Sequence, residues 1–140
     1  MWTHHYQQQT DLPAEALWPV LANVSGWAEI DENIETINID GVPGKNSTFT
    51  LKPKGGPRLS FRICDFEPPL TYSDVCKMPF ANMKTTHRIL NGDVTTIDIQ
   101  IVIEGMLSPV WGVLVGRKHA NGLPAQTQRF IAAARSRQNI

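Results

Sequence analysis

An isoleucine repeat constrains the fold of this chain more than any other sequence feature. Every second residue from Ile97 to Ile103 is isoleucine, and the tight-turn sequence Asn91-Gly92-Asp93 precedes the repeat. Side chains alternate between the two faces of a strand, so a period of two places all the isoleucines on one face. The segment Thr95 to Glu104 therefore predicts a long strand that is buried on one side and entered through a hairpin turn.

Six other segments are also predicted as strands. Apolar and polar residues alternate in most of them, and glycine or proline turns separate them. They cover residues 1–9, 34–40, 48–52 and 59–64, Thr71 to Lys77, and Lys84 to Leu90. Short turns join antiparallel neighbours, and no parallel crossover is implied between Ile34 and Glu104. The sheet is therefore predicted to be largely antiparallel.

Two helical regions flank the central run of strands. Asp11 is a candidate cap for the first helix, which Pro13 opens and Ser25-Gly26 ends, and Trp27 to Asp31 predicts one further turn. These elements sit between the first predicted strand and the second. Helices and strands in this order indicate an α+β domain.

The C-terminal region also has helical spacing. Ser108-Pro109 is predicted to open a helix, with Ser108 as its cap. Local sequence favours a break at Asn121-Gly122 and a second helix from Leu123-Pro124, and one long kinked helix is the alternative.

Length and composition exclude several classes of protein. The 140 residues predict one globular domain, and 41% of them are hydrophobic. The 13 basic and 13 acidic residues give a net charge of zero, which predicts no long-range attraction to nucleic acid or acidic lipid. No apolar run approaches the length of about 20 residues needed to span a bilayer. The first residues lack the pattern of a secretory signal, so we expect a cytoplasmic protein.

No residue pattern predicts a metal or a cofactor. Cys64 and Cys76 lack Cys-x-x-Cys spacing and are expected to be reduced thiols. His4 and His5 are neighbours in a strand and point to opposite faces, so they do not chelate one ion together. The glycines of Lys54-Gly55-Gly56-Pro57 lack the spacing of a phosphate loop and predict a hairpin turn.

Four loose motifs together span nearly the whole chain. They are Leu12-Pro13-Ala14-Glu15 with Leu17-Trp18 and Leu21, Gly26-Trp27 before Ile34, Thr86 to Thr95 leading to the isoleucine strand and Gly105, and Gly122-Leu123-Pro124 with Phe130 and Ala132 to Arg135. In residue class and spacing, this set resembles the START-like (SRPBCC) superfamily, near its polyketide cyclase/dehydratase-like branch.

The resemblance implies a helix-grip fold. In that fold a curved antiparallel sheet wraps around a long C-terminal helix, and two short helices follow the first strand. The resemblance favours a C-terminal helix that continues through Gly122, with a kink near Pro124. It also implies a cavity for a small hydrophobic molecule, such as a lipid, sterol or polyketide, in a monomer or homodimer.

His87 is the residue that we single out for chemistry. Strand alternation places it on one face with Thr85 and Ile89, and the resemblance implies that this face meets the cavity. An imidazole with an ordinary pKa of about 6.5 can move a proton beside a bound carbonyl compound, with Tyr72 or Tyr6 as a hydrogen-bond donor. The alternative is a histidine that only hydrogen-bonds at the cavity wall.

Large apolar side chains on separate elements are candidates for the cavity lining, and core packing is the equally weighted alternative. The predicted catalytic residues are His87 and Tyr72. The predicted ligand-binding set includes them and comprises Tyr6, Trp27, Phe49, Phe61, Tyr72, His87, Trp111 and Val115. Gly112 and Gly116 put a bare stripe on the C-terminal helix. They could let a ligand or the sheet approach that helix closely, or merely permit tight packing, and we favour packing.

The sequence leaves three candidate functions. The first is binding of a small hydrophobic ligand. The second is a polyketide cyclase or dehydratase activity that uses a pocket acid or base, with His87 in that role. The third is a protein-interaction or chaperone-cofactor module, since START-like domains also serve in that way.

Overall fold

The computed structural model describes residues 1–138 and contains a seven-stranded antiparallel sheet. The strand order across the sheet is β1-β7-β6-β5-β4-β3-β2, so the first strand is paired with the last. The strands are β1 (Trp2–Thr10), β2 (Ile34–Ile39), β3 (Thr48–Pro53), β4 (Leu59–Glu67), β5 (Thr71–Met78), β6 (Ala81–Leu90) and β7 (Thr95–Glu104). The predicted antiparallel arrangement is confirmed.

Short helices follow β1, and a long helical region follows β7. The helices are α1 (Ala14–Ala22), α2 (Trp27–Ile30), α3 (Ser108–Trp111) and α4 (Arg117–Gln138). A 3₁₀ turn, Val24–Gly26, precedes α2, and a π-helical turn, Gly112–Gly116, joins α3 to α4. No helix in residues 1–138 is both long and apolar enough to cross a bilayer. The two predicted short helices after the first strand are confirmed.

The C-terminal helix is continuous through Gly122 and Pro124. The local expectation of a break at Asn121-Gly122 was wrong, and the continuous helix implied by the family resemblance is confirmed. Pro124 has no N–H, so α4 lacks one backbone hydrogen bond in its middle. Packing of buried side chains such as Leu123 and Ala134 against the core holds this part of the helix in place.

Two predicted helix caps were wrong. Pro13, with no side-chain hydrogen bond, precedes α1, and Asp11 instead accepts hydrogen bonds from Arg135 on α4 at 2.7 and 3.3 Å. Ser108 is the first residue of α3 and is buried, and no side chain caps that helix. Asp11 therefore ties the loop before α1 to the far end of α4.

The isoleucine repeat of β7 lies on the face that α4 covers. Its four isoleucines are buried, whereas the polar residues between them are partly or fully exposed, as predicted. The strand register divides this face into three rows of paired residues, listed from β5 through β6 and β7 to β1. The first row is Tyr72, His87, Ile99 and Tyr6; the second is Asp74, Thr85, Ile101 and His4; the third is Cys76, Met83, Ile103 and Trp2.

The third row is packed tightly against the start of the helical region. A Cβ atom built on Gly112 would lie 2.5 Å from Trp2 Cδ1, and one built on Gly116 would lie 2.7 Å from Trp2 Cζ3. The indole therefore lies directly on the bare stripe formed by the two glycines. Trp2 belongs to β1, so the two glycines let the sheet approach the helix closely.

Candidate functional site

A cavity lies between the sheet and the helices, next to the first row of the sheet. It encloses about 40 Å³ and is bounded by β6, β7, α1 and α4. Its lining is mostly apolar and comprises Leu17, Leu21, His87, Ile89, Ile97, Ile99, Gln126, Thr127 and Phe130. A single water needs about 10–15 Å³ by this kind of measure, so the cavity holds a few waters or a small chemical group.

Two buried polar atoms at this cavity have no hydrogen-bond partner in the described residues. They are His87 Nδ1 and the Thr127 hydroxyl oxygen, one on the sheet and one on α4. A buried polar atom without a partner costs about 1–3 kcal/mol, so such atoms in a folded protein indicate a missing water or ligand group. Both atoms belong to residues that line one cavity, which makes it the candidate functional site.

His87 is held beside the ring of Tyr72. Their ring centroids are 5.9 Å apart at an interplanar angle of 63°, and the two residues are register partners on β5 and β6. Burial, with a smaller contribution from His119, lowers the pKa of His87 to about 4. The imidazole is therefore neutral near pH 7 and can act as a hydrogen-bond donor or acceptor, or as a weak base.

A buried Tyr72–Asp74 pair lies next to His87. The Tyr72 hydroxyl donates to Asp74 Oδ2 at 3.0 Å, and both side chains are almost fully buried. Burial raises the pKa of Asp74 to about 7, against the opposing effect of the Tyr72 hydrogen bond. Burial also raises the pKa of Tyr72, so its hydroxyl keeps its proton. Our sequence analysis missed Asp74, although the alternation of β5 places it on the face of Tyr72.

His119 of α4 covers the second row of the sheet. Its Nε2 lies 3.4 Å from the Thr85 hydroxyl, within hydrogen-bond distance. Burial lowers the pKa of His119 to about 4, opposed by the attraction of Asp31. The two histidines under the helix, His87 and His119, are thus mostly uncharged at neutral pH.

Contacts connect α4 to the α2–β2 corner beside the cavity. Gln126, a lining residue, donates from Nε2 to Asp31 Oδ2 at 2.9 Å, and Arg129 pairs with Glu32 at 2.6 Å. Asp31 also accepts a hydrogen bond from the backbone N–H of Asn33 at 2.9 Å. These contacts fasten α4 at the level of the cavity.

Of the eight predicted ligand-binding residues, the structure places one, His87, in the cavity lining. Tyr72 lies behind His87, Trp27 contacts the lining residue Phe130 at a centroid distance of 6.3 Å, and Phe49 stacks on Phe61 at 5.1 Å. The other three lie further away: the Tyr6 hydroxyl donates to Gln8, the Trp111 indole donates to the Pro79 carbonyl, and Val115 packs against the core. A role for these residues in ligand binding stays a prediction.

Sequence reasoning also missed the polar residues that α4 contributes. Helical spacing predicted Thr127 and Phe130 as helix residues, but it did not show which side of α4 faces a cavity. The signal that was present is the placement of polar Gln126 and Thr127 between apolar Leu123 and Phe130 on one helix.

Residues 1–138 contain no group of three His, Cys, Asp or Glu side chains that is arranged to hold a metal ion. His5 is paired with Asp98, while His4, its neighbour in β1, is half-buried in the second row. Both cysteines are free thiols.

This architecture is the helix-grip fold of START-like proteins. In it a seven-stranded antiparallel sheet wraps around a long C-terminal helix, and two short helices follow the first strand. Residues 1–136 match the family model described as "Polyketide cyclase / dehydrase and lipid transport", and the chain belongs to that family. The resemblance noted in the sequence is thereby confirmed. No curated protein matches the sequence.

Solved structures of other proteins share the fold. A norcoclaurine synthase point mutant from Thalictrum flavum, in complex with a transition-state analogue, has a TM-score of 0.77 at 10% identity and covers 98% of this chain and 96% of its own. Ara h 8.0201 has a TM-score of 0.76 at 10% identity, with 96% and 98% covered. The di-domain ARO/CYC protein BexL, from the BE-7585A biosynthetic pathway, has a TM-score of 0.70 at 13% identity, with 96% and 49% covered.

Proposed function

We propose that this protein binds a small hydrophobic ligand in the cavity between the sheet and α4, and that His87 and Thr127 hydrogen-bond one polar group of that ligand. The observation that carries the proposal is the pair of buried, unpartnered atoms, His87 Nδ1 and Thr127 Oγ1, in two residues that line one mostly apolar cavity. The family, which includes lipid-transport proteins, supports the same function.

The chemistry of the lining favours an uncharged ligand. The lowered pKa of His87 keeps its imidazole neutral at pH 7, and the remaining polar groups of the lining, Gln126 and Thr127, carry no charge. A charged ligand group would be desolvated there without a counter-ion, which is strongly unfavourable. A hydroxyl, a carbonyl or a neutral aryl amine group on an apolar body suits the site, because imidazole and hydroxyl can each donate or accept.

A complete lipid or polyketide needs more room than the empty cavity offers. Sites for such ligands enclose about 300–1,000 Å³, so the wall must move outward on binding. Both helices of the wall contain an internal proline, Pro19 in α1 and Pro124 in α4, and each proline removes a backbone hydrogen bond close to lining residues. We therefore assign the opening movement to α1 and α4.

A titration with the neutral fluorescent probe N-phenyl-1-naphthylamine tests this proposal. We expect saturable binding to one site. His87→Gln and Thr127→Val should each weaken it by about fivefold, the value of one net hydrogen bond. Thr95→Val is the matched control, because Thr95 is a buried threonine outside the lining. Equal affinities in the Thr127→Val and Thr95→Val variants, or no saturable binding, would contradict the proposal.

The second candidate function is a cyclase or dehydratase activity, which the position of His87 favours. A neutral imidazole in an apolar cavity can remove the acidic proton between two carbonyl groups, and Tyr72 holds its ring from behind. Substituting His87 with Gln and measuring the ring closure of a poly-ketone substrate tests this role. We expect at least a hundredfold loss of rate, the lower end of general-base catalysis; an unchanged rate removes His87 from the mechanism.

A further inference from the structure

An exposed apolar surface lies where β7 leads into α3, apart from the lining of the cavity. It consists of five large side chains whose exposed fractions are between 48% and 84%, and we call it the apolar end surface: Phe80, Met106, Val110, Val113 and Leu114. Single exposed apolar residues are common on proteins, but a cluster of this kind marks a contact site.

Backbone contacts hold the two parts of this surface together. The N–H of Leu107 donates to the carbonyl of Phe80 at 3.1 Å, and the Trp111 indole donates to the carbonyl of Pro79 at 2.8 Å. A Cβ atom on Gly105, whose φ is +120°, would lie 2.5 Å from the Phe80 oxygen, so glycine permits this close approach. The β5–β6 turn and the segment before α4 thus form one surface.

The helical part of this surface has its apolar stripe on the solvent side. Val110, Val113 and Leu114 are spaced three and four residues apart and share one exposed face. The opposite face carries Gly112 and Gly116, which Trp2 covers. Burial in the core therefore does not account for the three exposed side chains.

The charged residues next to the apolar end surface are basic on its helical side, where Arg117 and Lys118 lie, and of mixed sign on its strand side, where Lys77 and Glu104 are exposed. The twelve residues from Gly105 to Gly116 include no charged side chain, and Arg117 and Lys118 follow them directly. Both are exposed, form no ion pair with the described residues, and lie four positions beyond Val113 and Leu114, hence on the same helix face.

We propose that the apolar end surface docks onto the surface of an anionic lipid bilayer. Val113 and Leu114 would enter the boundary between headgroups and acyl chains, and Arg117 and Lys118 would contact anionic headgroups. The net charge of the protein is zero, so there is no long-range attraction, and the two cations act only within about 10 Å. The contact therefore needs the apolar and the basic residues together.

The same charges argue against a second copy of this chain as the occupant. In a two-fold symmetric contact the same surface faces itself, so Arg117 and Lys118 of both copies would lie in one interface. Like charges at an interface disfavour association. A bilayer with negative headgroups complements the surface instead.

Vesicle flotation tests the proposal with the intact chain. The vesicles are pure phosphatidylcholine, or phosphatidylcholine with about 30 mol% phosphatidylglycerol as the anionic lipid. We expect the protein to float with the anionic vesicles and not with the pure ones. The Val113→Asp/Leu114→Asp variant should bind at least about 30-fold more weakly, because two apolar side chains no longer enter the lipid.

A second variant, with a matched control, tests the contribution of the two basic residues to vesicle binding. Arg117→Glu/Lys118→Glu should also weaken binding by at least about 30-fold. Lys45→Glu/Arg137→Glu changes the net charge equally at exposed sites elsewhere, and Val42→Asp replaces an apolar residue that is 89% exposed in the β2–β3 loop. Both controls should bind like the wild type, and circular dichroism should show the same fold for all variants.

Three results would overturn the proposal. The first is no flotation with the anionic vesicles. The second is an equal loss of binding in the control variants. The third is a dimer in light scattering that Val113→Asp/Leu114→Asp abolishes, since this would assign the surface to a second copy of the chain.

Discussion

The C-terminal helical region contacts the sheet in two different ways along its length. At its start, Gly112 and Gly116 let the Trp2 indole pack directly against the helix, and we call this the glycine end. Further along, at the level of Leu123 to Phe130, side chains from α4 and the sheet enclose a cavity with two unpartnered polar atoms, and we call this the cavity end.

The difference shows how one helical region packs tightly against the sheet in one place and leaves a cavity in another. Glycine removes the side chains that would hold helix and sheet apart, so at the glycine end an aromatic ring fills the space. At the cavity end, larger residues keep α4 away from Ile97 and Ile99 on β7. The glycine end thus stabilises the fold, and the cavity end carries the proposed function.

Removing the indole should have the largest effect on stability. Trp2→Ala leaves the two glycines facing an empty space, and we expect a loss of about 3–4 kcal/mol in the free energy of unfolding. Urea denaturation measures this loss. The affinity of the folded variant for N-phenyl-1-naphthylamine should stay within twofold of the wild-type affinity. A loss of affinity as large as that of Thr127→Val would contradict the separate roles of the glycine end and the cavity end.

Part of the pH dependence of stability should come from His87 at the cavity end. His87 has a pKa of about 4 in the fold and about 6.5 when unfolded. Between these values the unfolded chain binds more protons, so stability is complete above about pH 6.5 and falls as the pH drops toward 4. His87→Gln should reduce this fall by up to about 3 kcal/mol.

Denaturation at a series of pH values measures the effect. His119, whose pKa is also lowered to about 4, contributes with the same sign as His87, and Asp74, whose pKa is raised to about 7, with the opposite sign. Both are present in wild type and variant alike, so the difference between the two proteins reports on His87. Trp2→Ala is the control and should keep the pH dependence of the wild type. The assignment is contradicted if His87→Gln and the wild type have parallel stability profiles from pH 4 to 7.

A methyl group added at the glycine end should also be costly. Gly112→Ala would place a Cβ atom 2.5 Å from Trp2 Cδ1, and we expect a loss of about 2 kcal/mol from overpacking. In the Trp2→Ala background the same substitution should be neutral or slightly stabilising, because alanine favours the helix. A double-mutant cycle measures this coupling, and additive losses would contradict the packing of the indole on Gly112.

Replacing the unpartnered hydroxyl should have the smallest effect on stability. Thr127→Val removes a buried polar group that lacks a partner, so the protein without ligand should become more stable by about 1 kcal/mol. Thr95→Val provides the comparison. Thermal denaturation of delipidated protein checks the sign, and a loss of stability in Thr127→Val would show that its hydroxyl already has a partner.

Most of the fold could be predicted from the sequence, because periodicity reports directly on local structure. The isoleucine repeat of β7 and its turn predicted a strand buried on one face, and the structure confirms it. The continuity of α4 could not be predicted in this way, since Gly122 and Pro124 are local signals for a break. Packing of Leu123 and Ala134 against the core outweighs those signals.

Less of the candidate site could be predicted from the sequence. Strand alternation placed His87 on the face with Thr85, and the structure puts it at the cavity. The large apolar residues of the predicted set were weighed equally between core and lining, and none of them lines the cavity. Some fill space against one another instead, as Phe49 and Phe61 do. Cavity size depends on the distance between helix and sheet, which no local sequence pattern determines.

Native mass spectrometry of the freshly purified protein tests the central claim most directly. The account predicts a wild-type species carrying one uncharged apolar molecule, with a smaller bound fraction in Thr127→Val and an unchanged fraction in Thr95→Val. Wild-type protein that has only the mass of the bare chain, under conditions that preserve a known complex of the same kind, would contradict it.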